Sequence, residues 1–225
     1  MKNRFLYILS IFIPMIIFNC NNNDEILEDY EQIGKYLYYK NDINILREMI
    51  SNSCIDSNDN NLLEYTECSI DSIDDENNDG IIDPLEIGFT EWGVNRRLIV
   101  LYAPNKGISG KFSENIWDLD KLTKLNLRNN QLSGELPVGI ENLSELKELW
   151  LDNNMIEGEI YSNFSLLDSL DILSLPNNNF TSISNNLCQT IDSLNYFSLR
   201  GNQICNIDTL YDCMIDIVGN NQNCQ

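Results

Sequence analysis

The densest potential chemistry in this sequence runs from Asp75 to Glu86, D-E-N-N-D-G-I-I-D-P-L-E. Oxygen-bearing side chains recur there at Asp75, Asn77, Asp79, Asp83 and Glu86, around a single glycine, Gly80, suited to a tight turn. Carboxylate and amide oxygens at that density suit a hard cation rather than a redox metal. An earlier stretch, Asp56 to Glu67, reads D-S-N-D-N-N-L-L-E-Y-T-E and echoes the order, with Asn61 in the glycine's place. Asparagine tolerates the left-handed conformation better than most residues. Elsewhere the chemistry is thin. The chain has no histidine, which removes Ser–His and Cys–His nucleophile pairs and most catalytic zinc sites. No other nucleophile has a base at a recognisable spacing, so the sequence reads as non-enzymatic.

The first stretch satisfies D-x-[DN]-x-[DN]-G-x5-E and resembles the calcium loop of the EF-hand family. The resemblance implies side-chain ligands from Asp75, Asn77 and Asp79, a backbone carbonyl from Ile81, Asp83 directly or through water, and Glu86 bidentate. Ile82 sits where the family keeps an apolar residue that pins the loop. In the second loop the same positions fall on Asp56, Asn58, Asn60, Leu62, Glu64 and Glu67. Only Cys68 to Asp74 separates the two, so the resemblance covers the loops and not a full helix–loop–helix pair. The expected cofactor is calcium, held in the weak extracellular range of about 10⁻⁴–10⁻³ M.

The formal net charge is −21 and the pI about 4.1, which excludes nucleic acid, because phosphate binding needs a basic stripe. The acid is concentrated early: Asp24 to Glu91 holds 19 acidic and 3 basic residues, whereas Trp92 onward holds 16 and 9.

These loops need elements to position them. Met1 to Asn19 carries Lys2 and Arg4, then an apolar run from Phe5 to Phe18, short for a membrane-spanning helix, which needs about 20 residues. Cys20 follows, then a polar stretch. This resembles a bacterial lipoprotein signal, with Cys20 the lipidated residue, although Phe18 and Asn19 depart from the small residues preferred there. An ordinary secretory signal and an uncleaved anchor are the alternatives. Residues 20–32 read as a tether. Tyr30 to Ser53 reads as one or two helices, with Asp42 the N-cap of the second.

The remainder is periodic. L-N-L-R-N-N-Q-L-S-G at Leu125–Gly134 is written again as L-W-L-D-N-N-M-I-E-G at Leu149–Gly158, and the frame recurs at Leu101, Leu173 and Phe197, each 24 residues apart. A fixed period of this size predicts a solenoid. Each L-x-L is a short strand with two residues inward, and an asparagine after it (Asn130, Asn154, Asn178, Asn202) is placed to satisfy backbone groups of the following turn. Repeats four and five lose the glycine, and their next apolar residue comes one position early, at Ile183 and Ile207. The pattern resembles plant-type leucine-rich repeats, whose N-terminal cap ends in a segment like Glu91–Val94, E-W-G-V. The cysteine expected after the valine is missing, with Asn95 and Arg96 there instead. The expected fold is α/β: a right-handed leucine-rich-repeat solenoid of about five repeats with a parallel concave sheet. Boundaries fall at 1–19 (signal), 20–32 (tether), 33–91 (helical segment with calcium loops), 92–210 (repeats) and 211–225 (C-terminal cap).

Function would be written between the leucines, since strand residues alternate sides. Three columns are expected on the concave face: Val100, Lys124, Glu148, Ile172, Tyr196; then Tyr102, Asn126, Trp150, Ser174, Ser198; then Pro104, Arg128, Asp152, Pro176, Arg200. Tyr102, Asn126, Arg128, Trp150, Asp152, Tyr196 and Arg200 are the candidate partner-binding residues, because aromatics beside arginine are the usual hot-spot composition. A solvated face with scattered aromatics is the competing account. Six cysteines besides Cys20 suggest a disulfide framework, with Cys54–Cys68, Cys188–Cys213 and Cys205–Cys224 as the chosen pairing among 15. The sequence thus predicts an exported, cell-surface protein, lipid-anchored or secreted, that binds a protein or peptide. The alternative is a calcium-responsive adhesion protein.

Overall fold

The computed structural model of the chain describes residues 28–53, 84–205, 215, 218 and 222–224. The leader with Cys20, the expected calcium ligands other than Glu86, the Cys54–Cys68 pair and Cys213 lie outside them.

The repeats form the predicted solenoid. Strands β4 (Leu98–Tyr102), β6 (Lys124–Asn126), β8 (Glu148–Trp150), β10 (Ile172–Ser174) and β12 (Tyr196–Ser198) stack in parallel. Their register is fixed by the 24-residue step: Leu101 lies opposite Leu125, Leu125 opposite Leu149, and Leu149 opposite Leu173. A second parallel sheet stacks β5 (Ser109–Lys111), β7 (Gln131–Glu135), β9 (Met155–Ile160) and β11 (Asn179–Ile183). The early Ile183 is accommodated by a bulge between Phe180 and Ser182, which brings Ile183 opposite Ile160. Short 3-10 turns at Ile116–Asp118, Ile140–Asn142, Ser162–Leu166 and Asn185–Leu187 line the back. Between them runs one continuous apolar core that includes Leu125, Leu127, Leu132, Leu149, Leu151 and Ile156, all fully or almost fully buried. Each such side chain contributes roughly 1.5–3 kcal/mol by leaving water.

The ladder of asparagines rivets the two sheets together. Asn154 Nδ2 donates to the carbonyls of Leu127 and Leu151, 3.0 Å each, while its Oδ1 accepts the Leu132 N–H at 3.0 Å. Asn130, Asn178 and Asn202 repeat the arrangement. The ladder continues past the last repeat by other means. Gln222 accepts the Ile204 N–H and donates to the Leu199 carbonyl, the bonds a further asparagine would make. A Cys205–Cys224 disulfide closes this end. Cys188 is also disulfide-bonded. The residue before each ladder position, Asn105, Asn129, Asn153 and Asn177, has φ between 53 and 57°, and Gly201 takes that place at φ 72°. Glycine and asparagine are among the residues that adopt this conformation most readily.

The N-terminal segment departs from expectation. Tyr30–Ile33 (β1) and Tyr36–Tyr39 (β2) form an antiparallel hairpin, followed by a single helix α1, Lys40–Asn52. The hairpin begins inside the expected tether, and its tyrosines and isoleucine prefer a strand. Asp42 is not an N-cap. It lies in the first turn of α1, fully buried, with Arg97 Nε and Nη2 bound to its carboxylate at 3.0 and 3.1 Å and the Leu98 N–H at 2.7 Å. Burial pushes this carboxyl above its ordinary value while those donors pull against it. Ile45, Leu46, Met49 and Ile50 of α1 extend the solenoid core, and Ser53 bonds the backbone of Ser109 on the edge strand β5. The cap is completed by β3 (Phe89–Trp92), which pairs antiparallel with β4. The 91/92 boundary therefore falls inside a strand.

Candidate binding face

The six-stranded sheet, ordered β12-β10-β8-β6-β4-β3, presents the expected columns. Registered pairs Val100–Lys124–Glu148–Ile172–Tyr196 and Tyr102–Asn126–Trp150–Ser174–Ser198 place each column across successive strands. The outward face is not uniformly open. Tyr102 and Tyr196 are 42% and 44% exposed, Arg200 and Lys124 are exposed, and Trp150 and Arg128 are half-buried. Asn126 and Asp152 are only 7% exposed. They form the floor of the face, below the exposed Tyr102 and Tyr196. Asp152 accepts the Ser174 hydroxyl, and its carboxyl is pushed up by burial against the pull of Ser174 and the Arg128 charge. Asn126 Oδ1 accepts the Arg128 backbone N–H at 3.3 Å.

Trp150 is the centre of the face. Its ring stacks on Tyr196, centroids 5.8 Å apart at 23°, and the Arg128 guanidinium lies 5.8 Å from the indole centroid. Its Nε1–H donates to Glu148 at 3.2 Å, and Glu148 pairs with Lys124 at 2.5 Å. Burial raises the Glu148 carboxyl, but these donors outweigh it and hold it below its ordinary range. Arg128 and Arg200 form no ion pair among the described residues. A hollow of about 280 Å³ opens beside Trp150, between it and Tyr102, over Asn126 and Arg128.

Phe89 was missed from sequence. It lies directly opposite Tyr102 across the antiparallel β3–β4 pair and is 59% exposed, so it extends the aromatic strip by one strand. It stands before the repeats, where the 24-residue frame does not reach; the alternation in F-T-E-W was the available signal. Of the expected calcium ligands, Glu86 alone falls among the described residues, partly buried in the turn Pro84–Glu86.

Residues 120–164 match the family model for leucine rich repeats (2 copies). No curated protein matches the chain. Among solved structures, the BIR3–SERK2 complex from Arabidopsis thaliana aligns at 24% identity over 70% of this chain and 80% of that one, TM-score 0.52. The leucine-rich-repeat ectodomain of the receptor kinase SOBIR1 from the same plant aligns at 33% identity and TM-score 0.45, over 47% of this chain; the match spans 58% of that ectodomain. The Arabidopsis receptor kinase HAESA, solved with the peptide hormone IDA and the co-receptor SERK1, aligns at 35% identity over 46% of this chain and 17% of that one, TM-score 0.44. With the registered strands and the asparagine ladder, the repeat match at 120–164 and the likeness to the BIR3–SERK2 structure show that the chain carries leucine-rich repeats folded into a leucine-rich-repeat solenoid.

Proposed function

We propose that this chain is an exported leucine-rich-repeat protein that holds a protein or peptide ligand on the face of its six-stranded sheet. The observation that supports it is the Trp150 cluster: a stacked Trp150–Tyr196 pair under an arginine that has no ion pair among the described residues. Large aromatics on an outward sheet face have no burial reason to be there, and aromatic–arginine clusters dominate binding energy where they occur. Selection from a random-peptide display library on the immobilised chain tests this. Enriched sequences should be lost with Trp150→Ala and weakened with Arg128→Ala, whereas the same enrichment with Trp150→Ala overturns the reading.

Lipidation at Cys20 and calcium in the acidic loops complete the proposal. The anchor would hold the repeats at a membrane surface, and the ion would stiffen the stem between them. A Cys20→Ser variant should leave the membrane fraction; retention there argues for an uncleaved apolar anchor. Calorimetric titration with Ca²⁺ should show at least one site that Glu86→Ala abolishes, and no heat up to about millimolar calcium contradicts the loop.

A further inference from the structure

We infer that the hollow beside Trp150 is a carboxylate subsite, filled by an aspartate or glutamate side chain of the bound peptide; the inference rests on the binding-face reading above. The donors around it are unspent. Asn126 lines the floor and is 7% exposed. Its Oδ1 is turned back onto the Arg128 N–H, and its Nδ2 has no acceptor among the described residues. No sealed side-chain donor lacks a partner among those residues, so this amide N–H opens into the hollow rather than into the core. Arg128 stands beside it, half-buried, its guanidinium 5.8 Å from the indole centroid. The chain holds 35 acidic residues against 14 basic ones, and Arg47 and Arg97 close on the carboxylates of Glu31 and Asp42. Arg128 makes no ion pair among the described residues, although Asp152 stands one strand away in the same column. Asp152 accepts the Ser174 hydroxyl instead.

The charge count sets the kind of group. The charged residues lining the hollow are Lys124, Arg128 and Glu148. Lys124 and Glu148 close on each other, and Glu148 also accepts the Trp150 Nε1–H. One positive charge is left over, partly withdrawn from water, where a hydrogen bond to a carboxylate is strong. A neutral carbonyl would use the donors and leave that charge unanswered. A phosphate, near two negative charges, would exceed it and meet Glu148 and Asp152. A single carboxylate matches it. The net charge of −21 does not oppose this at contact range, because exposed charges beyond about 10 Å are largely screened. The aromatic strip continues on both sides, Phe89 opposite Tyr102 and Tyr196 stacked on Trp150. A chain that covers the strip therefore passes over the hollow and offers it a side chain rather than an end.

The test follows the Trp150 indole N–H by NMR, its signal identified by its loss in Trp150→Phe. The full chain is titrated with acetyl-Leu-Glu-Leu-amide. Acetyl-Leu-Gln-Leu-amide is the neutral comparator, and acetyl-Leu-Gln-Leu with a free C-terminal acid carries its carboxylate at the chain end. The glutamate peptide should bind at least about fivefold more tightly than either comparator. Arg128→Gln should bring that preference below about twofold, and added salt should shrink it. Asn126→Asp, which replaces the free donor with an acceptor at equal size, should weaken the glutamate peptide about fivefold or more. Glu159→Gln, on the other sheet, should leave the preference unchanged. Equal affinity of the glutamate and glutamine amides overturns the inference, and so does a preference for the free-acid peptide, which would seat a chain end there. Library enrichment that still depends on Trp150 when the glutamate preference is absent leaves the binding face standing with a neutral group in the hollow, whereas loss of both removes the two readings together.

Discussion

The two sheets of this solenoid share a period, a register and a set of asparagine rivets, yet they face the solvent with different chemistry. The six-stranded sheet exposes Phe89, Tyr102 and Tyr196 around a half-buried Trp150 and two arginines. Outward positions on the four-stranded sheet carry mainly small or acidic residues, among them Ser133, Gly134, Glu135, Glu157, Gly158 and Glu159. Its glycines hold left-handed backbone, with φ of 79° at Gly110 and 75° at Gly134. Gly158 sits at φ 84°, and a β-carbon on it would lie 2.7 Å from Glu135 Cγ. Identical frames therefore serve two ends. One sheet carries left-handed glycines within its strands, and the other places aromatics at outward positions. The family frame predicts the shape of both and the surface of neither.

That contrast can be broken at its shared part first. Asn154→Ala removes two donors and one acceptor that tie the sheets together, leaving buried backbone groups unpaired. Stability should fall by about 3 kcal/mol, seen as a lowered midpoint in thermal unfolding of about 2–4 °C per kcal/mol. Gly158→Ala should cost about 1–2 kcal/mol through its left-handed φ, with peptide selection unchanged; a stable variant would show that the second sheet has slack. Trp150→Ala should do the reverse, with peptide capture lost and the unfolding midpoint nearly constant. The smallest effect concerns pH. Glu148 titrates below its ordinary value of 4.5 in the folded chain, so its pairing with Lys124 contributes fully above that value and is lost as pH falls through the lower folded value. Both side chains are partly exposed, so the contribution is at most about 1 kcal/mol. The stability difference between the unmodified chain and Glu148→Gln, followed by denaturant titration, should shrink on acidification. Asp152 moves the other way: held above its ordinary value, it takes its proton first in the folded state, so it adds stability as pH falls.

The solenoid was legible because a 24-residue step aligns leucines that must share one core, and the columns between them follow from strand alternation alone. What sequence reasoning lost lies where the period stops. The Tyr30–Tyr39 hairpin reads as helix because its apolar residues also fit a helical face; the Gly34 turn, φ 61°, and the strand preference of its tyrosines mark it otherwise. Asp42 resembled a cap, but its carboxylate is committed to Arg97 and Leu98, 55 and 56 residues away. Gln222 stands 20 residues after Asn202, so no 24-residue frame could find it as the last rung. On the face itself, burial separated neighbours that looked alike: Asn126 and Asp152 support, while Tyr102 and Tyr196 reach solvent. Side-chain size relative to adjacent columns decides that, and a single column does not reveal it.

The most direct test sets one residue of each sheet side by side. Full chains carrying Trp150→Ala or Glu157→Ala are compared with the unmodified chain for display-library enrichment, and each is checked by thermal unfolding. The account predicts enrichment reduced at least about tenfold by Trp150→Ala and untouched by Glu157→Ala, with all three unfolding together within a few degrees. Equal enrichment in all three, or loss only with Glu157→Ala, would contradict the assignment of recognition to the six-stranded sheet.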